Sequence, residues 1–110
     1  MKYYDENQSG QLRLALEREV MNWENVSTKI MFGCPCYLVN EKLFVMMVTD
    51  GIVITSLNES DKKDIEEKFH IEYFKAGKRT VKKWIVVPLS DECELKPIMP
   101  YIRMSFNTAS

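Results

Sequence analysis

Histidine is almost absent from this sequence: His70 is the only one in 110 residues. A nucleophile activated by histidine would have to use it, and its surroundings, Lys68-Phe69-His70-Ile71, carry no catalytic motif. Glycine is scarce too. Gly10, Gly33, Gly51 and Gly77 stand alone, which excludes the glycine-rich loops that cradle phosphates in nucleotide-binding proteins. Acidic and basic side chains nearly balance, 16 against 15, so no overall field draws the chain onto DNA or an anionic membrane. The longest apolar run, Leu43 to Val48, has strand length and falls far short of the roughly 18 residues of a membrane span. The opening Met1-Lys2-Tyr3-Tyr4-Asp5-Glu6 lacks both the apolar segment of a signal peptide and the acid-free character of a transit peptide. Three cysteines, an odd number, are expected to be reduced thiols and not a disulfide framework. Together these absences predict a cytoplasmic protein with no membrane partner.

What is present describes one domain over residues 1–110, with residues 1–9 as a polar N-terminal tail. Apolar positions at Leu12, Leu16, Val20 and Trp23 follow a helical period. Ser9 is placed to cap that helix and Arg13–Glu17 to pair along it. Asn25 to Lys29 break the period, and strands are expected from Ile30: Ile30 to Phe32, a bend at Gly33-Cys34-Pro35, then Cys36 to Val39. Asn40-Glu41-Lys42 reads as a polar turn. Leu43 to Val48 and Ile52 to Leu57 flank Thr49-Asp50-Gly51, a hairpin signal. Asn58 caps a short helix through Ile65 and Phe69. Ile71 to Phe74 and Trp84 to Val87, the latter ended by Pro88, are two more strands around a turn at Ala76-Gly77-Lys78. A last helical stretch opens with Ser90 as cap and is broken by Pro97 and Pro100, its regular part following Met99. The order α-β-β-β-β-α-β-β-α predicts an α+β fold: a two-layer sandwich whose antiparallel sheet is covered on one face by helices.

No complete set of catalytic residues emerges, and the expectation is a protein that is not an enzyme and holds no cofactor. Two features stand out against that background. Cys34 and Cys36 flank a proline; such thiols can ligate a soft metal, but a tetrahedral site would need His70 and Cys93 to converge on them. Small buried thiols in a strand are the simpler reading, and the spacing is not that of a dithiol redox motif. The second feature is basic. Lys75, Lys78, Arg79, Lys82 and Lys83 place five positive charges in nine residues beside Tyr73, Phe74 and Trp84. Such charges neutralise phosphates while aromatic rings stack on bases, although basic hairpins also guard sheet edges. The carboxylates of Asp61, Asp64, Glu66 and Glu67 read as the solvated face of a short helix, among Lys62, Lys63 and Lys68.

Three stretches taken together, Lys29-Ile30-Met31-Phe32-Gly33-Cys34-Pro35-Cys36-Tyr37-Leu38-Val39-Asn40, Lys42-Leu43-Phe44-Val45 and Gly77-Lys78-Arg79-Thr80-Val81-Lys82-Lys83-Trp84-Ile85-Val86-Val87-Pro88, resemble the N-terminal domain of the TfoX (Sxy) family. The likeness runs over about residues 10 to 109, and Met-Phe-Gly with the Gly-Lys-Arg to Val-Pro segment is its most specific part. It implies an antiparallel α+β domain, found alone or at the front of regulators of natural competence, without an established enzymatic activity. It supplies no catalytic residues. It also implies that Gly33 permits a bend and that Met31, Phe32, Tyr37 and Phe44 pack under helices. The chain departs from the family in lacking the second domain of full-length regulators and in carrying Thr55-Ser56 where many relatives have a basic residue. The resulting expectation is a stand-alone, non-enzymatic regulatory or protein-interaction module, with a protein partner or a second copy of itself; the alternatives are nucleic-acid binding through residues 75–83 and a metal or thiol site at Cys34 and Cys36.

Overall fold

A computed structural model describes residues 4–49, 51–89 and 91–110, and the side chains of all of these except Ala76 and Lys82. The chain runs α1 (Glu6–Val20), β1 (Val26–Met31), β2 (Cys34–Val39), β3 (Lys42–Val48), β4 (Gly51–Ile54), α2 (Glu59–Lys68), β5 (Glu72–Ala76) and β6 (Arg79–Pro88), then two short 3-10 turns (Glu92–Glu94 and Lys96–Ile98) and α3 (Met99–Ala109). The expected α+β order is the observed one. The strands form one six-stranded antiparallel sheet in the order β1-β2-β3-β4-β6-β5.

The first helix starts earlier than its apolar period predicts. Asp5, not Ser9, is the cap: its side chain accepts from the Asn7 amide at 3.0 Å. Ser9 lies buried inside α1, and Tyr4 is part of the core, so of the supposed tail only Met1, Lys2 and Tyr3 lie outside the described residues. The cause is Glu6, whose carboxylate takes two hydrogen bonds from Arg13 two turns on and fixes the first turn. At the other end α1 stops at Val20. Trp23 then turns back onto the sheet, its ring 6.0 Å from Phe44 and 5.1 Å from Phe106.

Two consecutive hairpins have two-residue turns. Phe32 and Gly33 have φ of 55° and 75°, and Asn40 and Glu41 have 51° and 69°; positive φ at both central residues is the type I′ geometry that matches strand twist. The first bend therefore falls at Phe32-Gly33, and Cys34 and Pro35 belong to β2. Pro35 is tolerated there for a reason of register. Met31 and Cys34 close the turn as a hydrogen-bonded pair, so Pro35, opposite Ile30, directs its nitrogen away from β1. On that side pairing with β3 begins only at Cys36. No ladder bond is lost.

Gly51 is the first residue of β4 and pairs with Val48 of β3, so it belongs to the strand and not to the expected turn; Asp50 lies outside the described residues. A side chain at Gly51 would bring its Cβ to 2.9 Å from the Val87 carbonyl oxygen of β6. Glycine is needed there for close strand approach. β4 ends at Ile54, short of the expected Leu57, because hydroxyls take over from the ladder. Thr55 and Ser56 both donate to the Leu43 carbonyl, while Ser105 of α3 accepts from the Ser56 amide and donates to the Phe44 carbonyl. The residues that depart from the TfoX pattern thus join β3, β4 and α3. Asn58 caps α2 as predicted, accepting from the Asp61 amide at 2.8 Å. The expected cap Ser90 lies outside the described residues; Asp91 caps the first 3-10 turn, and α3 begins at Met99 with Pro100 in its first turn.

The helices cover one face of the sheet. Tyr37 reaches Glu17 of α1, Phe44 meets Phe106 of α3 edge-to-face at 5.3 Å, and Tyr73 reaches Glu66 of α2. The opposite face carries Cys34, Cys36, Met46 and Val53, all fully buried without a helix over them. Here the sheet curls on itself: Phe32, at the β1–β2 turn, lies 6.3 Å from Phe74 of β5, which lies 5.5 Å from Trp84. Of the four family positions expected under the helices, Tyr37 and Phe44 are there. Met31 is on the curled face beside Cys34, and Phe32 is half exposed at a turn.

Candidate interaction surface

β1 is an edge strand whose middle is exposed throughout. Ser27, Thr28, Lys29 and Ile30 all face solvent, and among the described residues no strand pairs with its outer side. The strand starts at Val26, four residues before the position its sequence suggested. Val26, Thr28 and Ile30 recur at period two and are all β-branched, which is the signal for a strand in this stretch. Because Met31 bonds to Cys34 across the turn, the outward N–H and C=O groups are those of Val26, Thr28 and Ile30. Their side chains share the helical face, since Thr28 sits opposite Tyr37. Ile30 is 68% exposed, the most exposed of the large apolar side chains among the described residues.

Beside this edge lies a cleft of about 320 Å³, walled by Thr28, Ile30, Pro35 and Tyr37 on the sheet and by Tyr4 and Arg13 on the helix side. Its floor is a continuous polar chain. Tyr4 donates to Glu6 at 2.6 Å, Arg13 donates to Glu6 and to Glu17, and Tyr37 donates to Glu17 at 2.6 Å. The Arg13 and Tyr4 bonds hold the Glu6 carboxyl down to about 2. Burial, reinforced by Glu6, pushes the Tyr4 hydroxyl up to about 12, and burial with the Glu17 hydrogen bond pushes Tyr37 up as well. These bonds favour the ionised Glu6 carboxylate and the protonated Tyr4 and Tyr37 phenols. None of these shifts brings a proton donor or acceptor toward neutral pH, so the chain of bonds orients α1 against β1 and β2 without poising a group for proton transfer.

The sulfur and histidine candidates are dispersed. Cys34 and Cys36 are fully buried under the curl, donating to the Phe32 and Cys34 carbonyls. Burial pushes the Cys34 thiol up to about 11 and raises that of Cys36, the opposite of what a reactive thiol or metal ligand needs. Cys93 is exposed on a 3-10 turn. His70 is exposed between α2 and β5, beside Pro97 and Glu94. Among the described residues no three of His, Cys, Asp and Glu gather into a metal-binding group.

The basic candidates lie on the β5–β6 hairpin, turned by Gly77 with φ of 64°. Lys75, Lys78, Arg79 and Lys83 are exposed and take part in no ion pair among the described residues; the side chain of Lys82 lies outside them. Phe74 is buried and Trp84 half-buried, so the rings beside these charges are engaged with Phe32 and one another. Sequence reasoning found this hairpin; it expected that an exposed sheet edge or a Met-rich helical surface could join two copies, and did not single out β1 or its cleft. No helix among the described residues is long and apolar enough to cross a membrane. Compared with known proteins, the chain matches no family model, no curated protein and no solved structure.

Proposed function

We propose that this protein is a non-enzymatic interaction module that receives a strand from another polypeptide along β1. The observation that carries this reading is the open outer edge of β1, with three outward backbone positions and Ile30 68% exposed. Strand addition of this kind draws affinity from main-chain hydrogen bonds and specificity from alternate side chains. The cleft beside the strand fits a docking role better than a catalytic one, because the Glu6, Arg13 and Glu17 side chains on its floor are already engaged with one another and with Tyr4 and Tyr37. A regulatory module of this type is also what the resemblance to the TfoX N-terminal domain implies. We take the cytoplasm as its compartment, a reading supported by three cysteines without a disulfide.

Thr28→Pro tests the reading, because it removes one outward N–H and leaves the hairpin bonds to β2 untouched. Wild-type and Thr28→Pro baits should differ in the proteins they retain, and the outward amides of Thr28 and Ile30 should gain hydrogen-exchange protection in the wild-type complex. Equal retention by both baits, with no added protection in β1, refutes it.

The four exposed basic residues of the β5–β6 hairpin, which form no ion pair among the described residues, favour a second reading, nucleic-acid binding. It requires affinity for a single-stranded oligonucleotide that falls steeply with salt and shrinks in a Lys78→Glu, Lys83→Glu variant. Affinity indifferent to those changes removes it.

A further inference from the structure

We propose that the strand received by β1 is β1 of a second copy, paired antiparallel about a two-fold axis through Thr28, so that two sheets become one. This rests on the interaction reading above and adds to it the partner and the register. The outward groups belong to Val26, Thr28 and Ile30, so a second β1 can form hydrogen-bonded pairs only between these residues.

Five registers satisfy that condition. If Val26 met Val26, Thr28 would have to pair with Glu24, beyond Asn25, which leaves the extended conformation at φ of 64°. If Val26 met Thr28 of the other copy, the overlap would be three residues and Ile30 would remain exposed. If Thr28 met Ile30, Lys29 would face Lys29 across the axis at about 4.5 Å between α-carbons, a like-charge pair. If Ile30 met Ile30, Thr28 would have to pair with Phe32, which leaves the extended conformation at φ of 55°. The remaining register sets Thr28 against Thr28, Val26 against Ile30 and Lys29 against Ser27. It uses all five residues from Val26 to Ile30, separates the lysines and buries the most exposed isoleucine against a β-branched neighbour, twice over. Isologous pairing of this kind closes with two copies and leaves no further β1 edge to extend.

Cross-linking in a Cys93→Ser background, which removes the exposed thiol, reads the register directly. Thr28→Cys should form a disulfide between copies on mild oxidation, its α-carbons being about 5.5 Å apart in a hydrogen-bonded pair and so within bridging range. Lys29→Cys should not, because its diagonal separation is about 7–8 Å. Sedimentation of the unmodified chain from about 1 μM to about 1 mM should show a dimer, and Ile30→Lys should weaken it at least about tenfold with an unchanged circular-dichroism spectrum. Efficient bridging through residue 29 and not 28 overturns the register. A monomer throughout that range overturns the second copy as occupant, while leaving the edge reading to stand or fall on the Thr28→Pro bait.

Discussion

At one end of the sheet, β5 is overhung by α2: Lys62 lies over the Tyr73 ring at 5.3 Å, and the Tyr73 hydroxyl donates to Glu66 at 3.0 Å. Its hairpin tip is a run of positive charge. At the other end, β1 carries one lysine and an exposed isoleucine, and the neighbouring helix stands off across a cleft. Overhanging side chains and lysines are the usual means by which a sheet edge is kept from pairing with other chains. One edge of this protein has them and the other has very little of them. The same fold can therefore be closed at one side and receptive at the other, with no change in backbone architecture.

The contrast is broken most severely by Ile65→Ala. Ile65 is the one buried residue of α2, and its truncation should cost about 2–5 kcal/mol, with β5 amides losing hydrogen-exchange protection before those of β3. If β5 and β3 lose protection together, α2 is not a separate cover for that edge. On the β1 side the largest local effect is acid-dependent. Glu6 titrates at about 2 in the folded chain against an ordinary 4.5, so its bonds to Arg13 and Tyr4 add stability above the ordinary value and lose it as pH falls through the lower one. A carbon-detected titration should find this midpoint in the wild type and a return toward 4.5 in Arg13→Ala. An unshifted midpoint in that variant would mean that the guanidinium does not hold the start of α1.

Thiol labelling distinguishes the curl from the surface. At mildly alkaline pH Cys93 should react with a disulfide reagent at once, and Cys34 and Cys36 only after denaturation, since both are buried and their thiolates disfavoured. Three fast thiols in the native protein would show the curled face to be open. The smallest change expected is from Tyr73→Phe, which removes one exposed hydrogen bond and keeps the ring under Lys62; the thermal unfolding midpoint should barely move. A clear drop would make the Glu66 contact a principal fastening of β5.

The order of elements could be read from the chain because its periods are clean: Leu12, Leu16 and Val20 for α1, alternating or continuous apolar runs for the strands, Asn58 as a cap, and Pro100 at a helix start. What could not be read depends on neighbours distant in sequence. Phe32 is a poor residue for a left-handed turn and hides the bend, whereas Pro35 invites one and does not make it; register alone decides between them. Ser9 has the side chain of a cap but loses that role to Asp5 once Arg13 secures Glu6. The candidate surface was hidden for a related reason. Ile30 has the composition of a core residue, and only the strand order, which inserts β6 between β4 and β5 and leaves β1 outermost, makes it an edge residue.

That strand order also bears on how the molecule assembles in time. β1 to β4 are neighbours in both sequence and space, joined by short connections, and β5 with β6 forms a second local unit. Closing either costs little chain entropy, whereas seating β6 on β4 must enclose all of α2 and β5. The seam between the units runs past Gly51, where an added methyl group would press on the Val87 carbonyl at 2.9 Å. Gly51→Ala should accordingly slow the union of the two units, read as a lower folding limb in a denaturant chevron; an unchanged folding limb with faster unfolding would mean that this contact forms only after the units have met.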